Sequence, residues 1–237
     1  MIEIIKVKDR EEGNIKAHKI LVEITDNNTL LALSGGTSPN YRKMIVEPLT
    51  PLRSEEQSYE GQGILPGAVC MVDERFGTPL HKNSNELMFE ESGLIGYFFN
   101  KRIKFYKILK GETFVKTANS YNMIIARLFG KFPKKIGIMG IGKDLHTAGL
   151  FPNSEADHSP HYVVYETVED EFPQRISLSL KALGEFDNFI ILVFGSAKQN
   201  VLKKLLDENE NDMQKAPAIF YRKCKAKSYL ITDQEIK

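Results

Sequence analysis

Cysteine is scarce in this chain. Cys70 and Cys224 are the only two in 237 residues, too few for a disulfide framework. Cys70 lies in an apolar run and Cys224 in a basic segment, so neither shows metal-ligand spacing. The expectation is a reduced, cytoplasmic protein without a metal. Charge of one sign is also missing. Lys and Arg number 32 against 31 Asp and Glu, a formal net charge of +1. That balance excludes the basic footprint of a nucleic-acid or anionic-membrane binder, but allows a local cationic pocket. No apolar run approaches the ~20 residues needed to cross a bilayer. The start, Met1-Ile-Glu-Ile-Ile-Lys6, is charged and too short to read as a secretory leader. There is no internal repeat and no low-complexity segment. Neither a Walker loop nor G-x-G-x-x-G occurs.

What is present is a core-forming pattern. Hydrophobic residues make up 42% of the chain, enough for a sizeable core. Strands are expected over 2–7, Thr29–Leu33, Ala68–Val72, Ile103–Tyr106, 135–140, Tyr162–Tyr165, Arg175–Leu180, Phe189–Phe194, 217–221 and 228–232. Helices are expected over Glu11–Ile24, 40–46, 86–91, Thr113–Phe129 and Ala197–Leu206. His18 reads as a surface residue, 47–67 as a polar surface loop, and His158 and His161 as loop or strand-edge residues. Strands and helices in alternation predict one α/β domain over 1–237. Its sheet is doubly wound, mostly parallel and Rossmann-like, with helices on both faces.

The chemistry concentrates where expected strands end. The run Ile136–Met139 breaks at Gly140 and Gly142, then delivers Asp144 and His146. Imidazole changes charge near neutral pH and can take a proton from water. The alternative is that Asp144 caps a helix and His146 packs beside it. The second strand runs into Ser34-Gly-Gly-Thr-Ser-Pro39 and a helix. Small residues before a helix offer backbone N–H groups and hydroxyls to phosphate, so Ser34, Gly35, Gly36, Thr37 and Ser38 form a candidate anion loop. A third strand delivers Asp73-Glu-Arg75, and guanidinium matches phosphate oxygens in pairs. Lys198 opens a helix, a poor place for a cation unless an anion binds there.

Four separated stretches then fit one family together. Ser34-Gly-Gly-Thr-Ser-Pro39 resembles its S-G-G-x-T-P loop, and Val72-Asp-Glu-Arg75 its D-E-R strand end. Gly140-Ile-Gly-Lys-Asp-Leu-His-Thr-Ala148 with Leu150-Phe-Pro152 resembles G-x-G-x-D-G-H-x-A-S-L-F-P. Arg175-Ile-Ser-Leu-Ser179, followed by Gly195-Ser-Ala-Lys198, resembles the R-V-T-L-T strand and its sequel. Over Leu30 to the C-terminus the chain is similar to the 6-phosphogluconolactonases of the sugar-phosphate isomerase/deaminase superfamily. The resemblance implies hydrolysis of 6-phosphoglucono-1,5-lactone, the second step of the oxidative pentose phosphate pathway, without metal or organic cofactor. It implies His146 as the catalytic base with Asp144 beside it. Ser34 to Ser38, Asp73, Arg75, Gly142 and Lys198 would hold the substrate. A small sugar phosphate would be the partner, with the chain a monomer or weak dimer.

Three positions depart from the pattern: Leu145 replaces a glycine, Gly149 a serine, and Ser38 stands where threonine is usual. A positive φ at Leu145 would cost energy. A glucosamine-6-phosphate deaminase/isomerase is the enzyme rival. That branch has an aromatic residue after Asp-Glu and Asn-Glu-Pro after the histidine, where this chain has Arg75 and Leu150-Phe-Pro152. A non-catalytic sugar-phosphate-binding module is the rival from another class.

Overall fold

A computed structural model describes residues 2–46, 63–154 and 159–236. Residues 47–62 of the expected 47–67 loop, and His158, lie outside the described residues. The largest sheet has seven strands: β1 (Ile2–Lys6), β2 (Thr29–Leu33), β3 (Ala68–Met71), β5 (Lys104–Tyr106), β6 (Lys134–Met139), β9 (Asn188–Val193) and β10 (Lys227–Thr232). Their spatial order is β1-β10-β9-β6-β2-β3-β5, and every pair is parallel. Helices α1 (Arg10–Ile24), α2 (Asn85–Glu91), α3 (Leu94–Asn100), α4 (Phe114–Lys131), α5 (Leu180–Leu183), α6 (Gln199–Leu206) and α7 (Phe220–Lys223) connect the strands. The result is the expected single α/β domain around a parallel sheet.

Burial explains why the central strands are uniformly apolar. All five residues of β2 are buried, as are Phe189 to Val193 of β9, because a parallel sheet is covered on both faces. Packing between sheet and helix is close at the strand ends too. A Cβ on Gly13 of α1 would lie 2.3 Å from the Phe194 ring, so only glycine lets α1 approach there. Among the described residues no helix is long and apolar enough to cross a membrane.

The strand order reverses at one point. From β2 the chain moves outward to β3 and β5, then returns through α4 to place β6 on the other side of β2. The loops leaving β2 and β6 therefore diverge and leave a crevice at the strands' carboxyl ends, where open α/β sheets bind ligands.

Three expectations and one alternative reading need correction. First, Asp73–Arg75 is not a charged strand exit. It is a strand of its own, β4, in a small antiparallel sheet ordered β4-β8-β7 with β7 (Val163–Thr167) and β8 (Gln174–Leu178). The Tyr121 hydroxyl accepts from Met71 N at 2.9 Å and donates to Met71 O at 2.6 Å, ending the β3 ladder on a side chain of α4. The chain then passes through Val72 into the second sheet. Second, 217–221 is not a strand. Pro217 opens a short helical turn that continues into α7, and its apolar residues are buried on every side. Third, His18 is buried, and its Nδ1 lies 2.8 Å from Met44 O. That bond ties α1 to the widened helical turn Arg42–Val46, which stands where a regular helix was expected. Fourth, no helix follows β6. Residues 140–152 form a chain of tight turns, so Asp144 caps no helix.

Candidate active site

The anion loop is held from behind. Tyr41 donates its hydroxyl to Ser34 O at 2.6 Å. Arg10 Nε donates to Ser38 O at 3.0 Å and its Nη2 to Pro39 O at 3.3 Å. Asn14 accepts from Asn40 N at 2.7 Å through its Oδ1. Carbonyls are thus satisfied by side chains outside the loop. The backbone N–H groups of Gly35, Gly36, Thr37 and Ser38 have no backbone partner among the described residues. Gly36 has φ +99°, and a Cβ on Gly35 would lie 1.9 Å from Asn85 Oδ1. Both glycines are therefore dictated, one by conformation and one by space.

Asn85, at the start of α2, links that loop to β4. Its Oδ1 accepts from Arg75 Nη1 at 2.9 Å, and its Nδ2 donates to Asp73 O at 2.9 Å. Glu74 is fully buried, and burial pushes its carboxyl up to about 7 against three backbone N–H donors, those of Asn85, Glu86 and Arg75.

The turn after β6 presents His146. Its Nδ1 lies 2.6 Å from Asp144 Oδ1, and its ring stacks on Phe151 at 4.5 Å. Partial burial alone would raise the Asp144 carboxyl, but hydrogen bonding and the charge of His146 prevail and hold it at about 2. The carboxylate is ionised throughout the neutral range. Its stabilising contribution is present above the unfolded pKa of ~3.9 and is lost as pH falls toward 2. A Cβ on Gly142 would come within 2.1 Å of His146 Nδ1, so the ring occupies space that only glycine leaves.

Leu145 has φ 68°, the left-handed region that the family's glycine would enter freely. Its side chain is 5% exposed and its carbonyl accepts from Ala218 N at 2.9 Å. The strain of roughly 1–2 kcal/mol competes with roughly 1.5–3 kcal/mol from burying a leucine. Burial wins once glycine's extra unfolded-state freedom, ~0.5–1 kcal/mol, is counted. Leu145→Gly should therefore lower stability by about 1 kcal/mol, read from the denaturant midpoint at unchanged slope. A more stable variant would show that strain dominates at this turn.

Lys198 ends a short helical turn, Ser196–Lys198, ahead of α6, and donates from Nζ to Ile141 O. Desolvation, together with nearby Lys143, lowers its pKa against the pull of Asp144. Arg175 of β8 was singled out only as part of a motif. It lies between the Phe151 and Phe172 rings, 5.2 and 5.9 Å from their centroids, and pairs with Asp170.

Ser34 to Ser38, Asp73, Arg75, Gly142, His146 and Lys198 all line one cleft of about 380 Å³. Asp144 does not line this cleft and instead borders a neighbouring, larger hollow. Asn85, Asp170, Phe172 and Arg175 line the same cleft. A larger hollow of about 1190 Å³, bordered by Asn122, Phe151 and Glu166, has no lysine or arginine among its described lining residues. The cationic chemistry belongs to the smaller cleft.

The family described as glucosamine-6-phosphate isomerases/6-phosphogluconolactonase matches residues 16–230. The chain belongs to that family. Among its relatives is a 6-phosphogluconolactonase of Xylella fastidiosa, 28% identical over 210 residues, covering 83% of this chain and 78% of the relative. A glucosamine-6-phosphate deaminase of Enterococcus faecalis is 24% identical over 228 residues, covering 87% of each. The fold is similar to the crystal structure of a 6-phosphogluconolactonase from Shewanella baltica, with a TM-score of 0.77 at 19% identity over 98% of this chain and 97% of that one. Both branches of the family thus stand among the relatives, and the choice between them rests on the site residues.

Proposed function

We propose that the chain is a hydrolase of 6-phosphoglucono-1,5-lactone, with His146 as general base. The observation that carries this reading is His146 on the wall of a cleft that also holds Arg75 and Lys198, with its Nδ1 2.6 Å from Asp144 Oδ1. An ionised Asp144 accepts a hydrogen bond from Nδ1–H, which fixes the tautomer and leaves Nε2 with its lone pair. A water held at Nε2 gives up a proton as its oxygen attacks the lactone carbonyl carbon. The carbonyl oxygen becomes an oxyanion, the carbonyl reforms, and the bond to the ring oxygen breaks. That oxygen leaves with the proton from His146. The Gly35–Ser38 N–H groups, Arg75 and Lys198 hold the phosphate away from the reacting carbon and orient the lactone. Cellular work in the cytoplasm and in the oxidative pentose phosphate pathway follows from this substrate.

The deaminase reading has the Enterococcus relative in its favour, whereas Arg75 after Asp-Glu and Leu150-Phe-Pro152 after the histidine favour the lactonase. Purified protein should accelerate opening of freshly made lactone above the spontaneous rate and release no ammonia from glucosamine 6-phosphate. Ammonia release without lactone opening would reverse the assignment. Binding of sugar phosphate with neither activity would leave a non-catalytic module.

A further inference from the structure

The turn joining β7 to β8 reaches into the cleft with one acidic and one aromatic side chain. Val168 N donates to Pro173 O at 2.8 Å and closes the turn, and Asp170 N donates back to Val168 O at 3.0 Å. Asp170 and Phe172 both line the cleft. Phe172 lies between two guanidiniums, 5.5 Å from Arg75 and 5.9 Å from Arg175. The two arginines differ in how they are satisfied. Arg75 donates to Asn83 O and Asn85 Oδ1, both neutral. Arg175 has one hydrogen-bond partner among the described residues, the Asp170 carboxylate, and its Nε is buried without any. The Arg175 side chain is 7% exposed while that of Asp170 is 37% exposed.

A guanidinium so far from water needs an anion beside it. In the free chain the anion is supplied by a half-exposed residue at a loop tip, and the buried cation keeps unused donor capacity. We propose that Asp170 is an intramolecular competitor for the anion position at Arg175, and so a specificity-determining residue for ligands of this cleft. The proposal rests on the cleft being the sugar-phosphate site. A tethered carboxylate acts at high effective concentration. A neutral sugar offers nothing to displace it, and a monoanionic carboxylate offers only an equal exchange. A phosphate dianion brings more charge and three acceptor oxygens, and can take the guanidinium's second N–H edge as well. Asp170 thereby raises the threshold for every anion and leaves doubly charged oxyanions as the ligands that pass it.

The test uses inorganic phosphate at pH 8 as its probe, so it does not depend on any lactone chemistry. Phosphate is titrated into the full chain by calorimetry at low salt. Asp170→Asn keeps the shape and removes the charge, and should bind phosphate about 3- to 10-fold more tightly. Asp170→Ala, run beside it, should do the same. The gain should disappear in an Arg175→Ala background, because coupling through one partner is non-additive. It should also shrink as salt screens the site. Unchanged or weaker phosphate binding in both Asp170 variants would overturn the proposal, since Asp170 would then support the geometry of Arg175 instead of competing for it. A gain that persists without Arg175 would overturn it as well, by showing only a general effect of removing negative charge. A chain lacking lactonase activity could still show the gain, and an active lactonase could lack it, so the two readings fail separately.

Discussion

Replacing His146 by alanine should leave the fold intact and remove most lactone hydrolysis above the spontaneous rate, a loss of ~10²–10⁴-fold in kcat. The fold should survive because the imidazole is 32% exposed, and its contacts are the Asp144 carboxylate and one face of Phe151. The loss should be large because His146 lines the cleft and, with Nδ1 engaged by Asp144, its Nε2 is the ring nitrogen left to take the water's proton. Asp144→Asn supplies a second reading of the same pair. An amide can turn its NH₂ toward Nδ1, favouring the tautomer that protonates Nε2, and activity should fall without loss of phosphate binding. Near-wild-type kcat in His146→Ala would remove this histidine from the chemistry.

The phosphate contacts come next in expected size. Arg75→Ala and Lys198→Ala should each weaken sugar-phosphate binding by roughly 1.5–3 kcal/mol, the cost of one charge-assisted contact. Arg75 is held firmly in place. Its Nη1 is fixed by Asn83 O and Asn85 Oδ1, and Phe172 lies against its face, yet its Nε takes no partner among the described residues. Lys198 lies where desolvation already disfavours its charge, so an incoming anion gains from meeting it. If the contacts act alike in ground and transition states, the loss falls on KM. If they also orient the lactone, kcat falls too. Either way, the preference for phosphorylated over unphosphorylated lactone should shrink in both variants. A preference that survives intact would make these cations structural and direct attention to Arg175.

Much of this architecture was legible from local pattern. Thr29–Leu33, Ile136–Met139 and Phe189–Val193 read as strands because burial on both faces demands unbroken apolar runs. The glycines at 35, 36 and 142 announced tight turns, and each has its space or its φ dictated. What stayed hidden depends on partners distant in sequence. His18 looked exposed between lysines, and its hydrogen-bond acceptor is 26 residues away. Asp73–Arg75 gave no sign of pairing with Arg175–Ser177, about a hundred residues on. The run at 217–221 is apolar without a period, and such a run cannot tell a buried turn from a strand. Asn85 and Asp170 carry no local motif, though Ser84 before Asn85 is an N-cap signal that marks where α2 begins.

The anchoring of the Ser34–Ser38 loop also bears on how the site changes when it fills. Tyr41, Arg10 and Asn14 fix the loop through carbonyls at its two ends, Ser34 O and Ser38 O, and leave the N–H groups of residues 35–38 without a backbone partner among the described residues. Ordering a backbone residue costs roughly 1–2 kcal/mol, and here that cost falls on folding instead of on ligand capture. Phosphate should therefore arrive at a rigid receptor, with little loss of chain entropy and little change in amide exchange along 34–38. It also gives α1 a share in recognition, although neither Arg10 nor Asn14 lines the cleft. A change at either residue would slacken the receptor from outside, weakening capture without removing any group that meets the ligand.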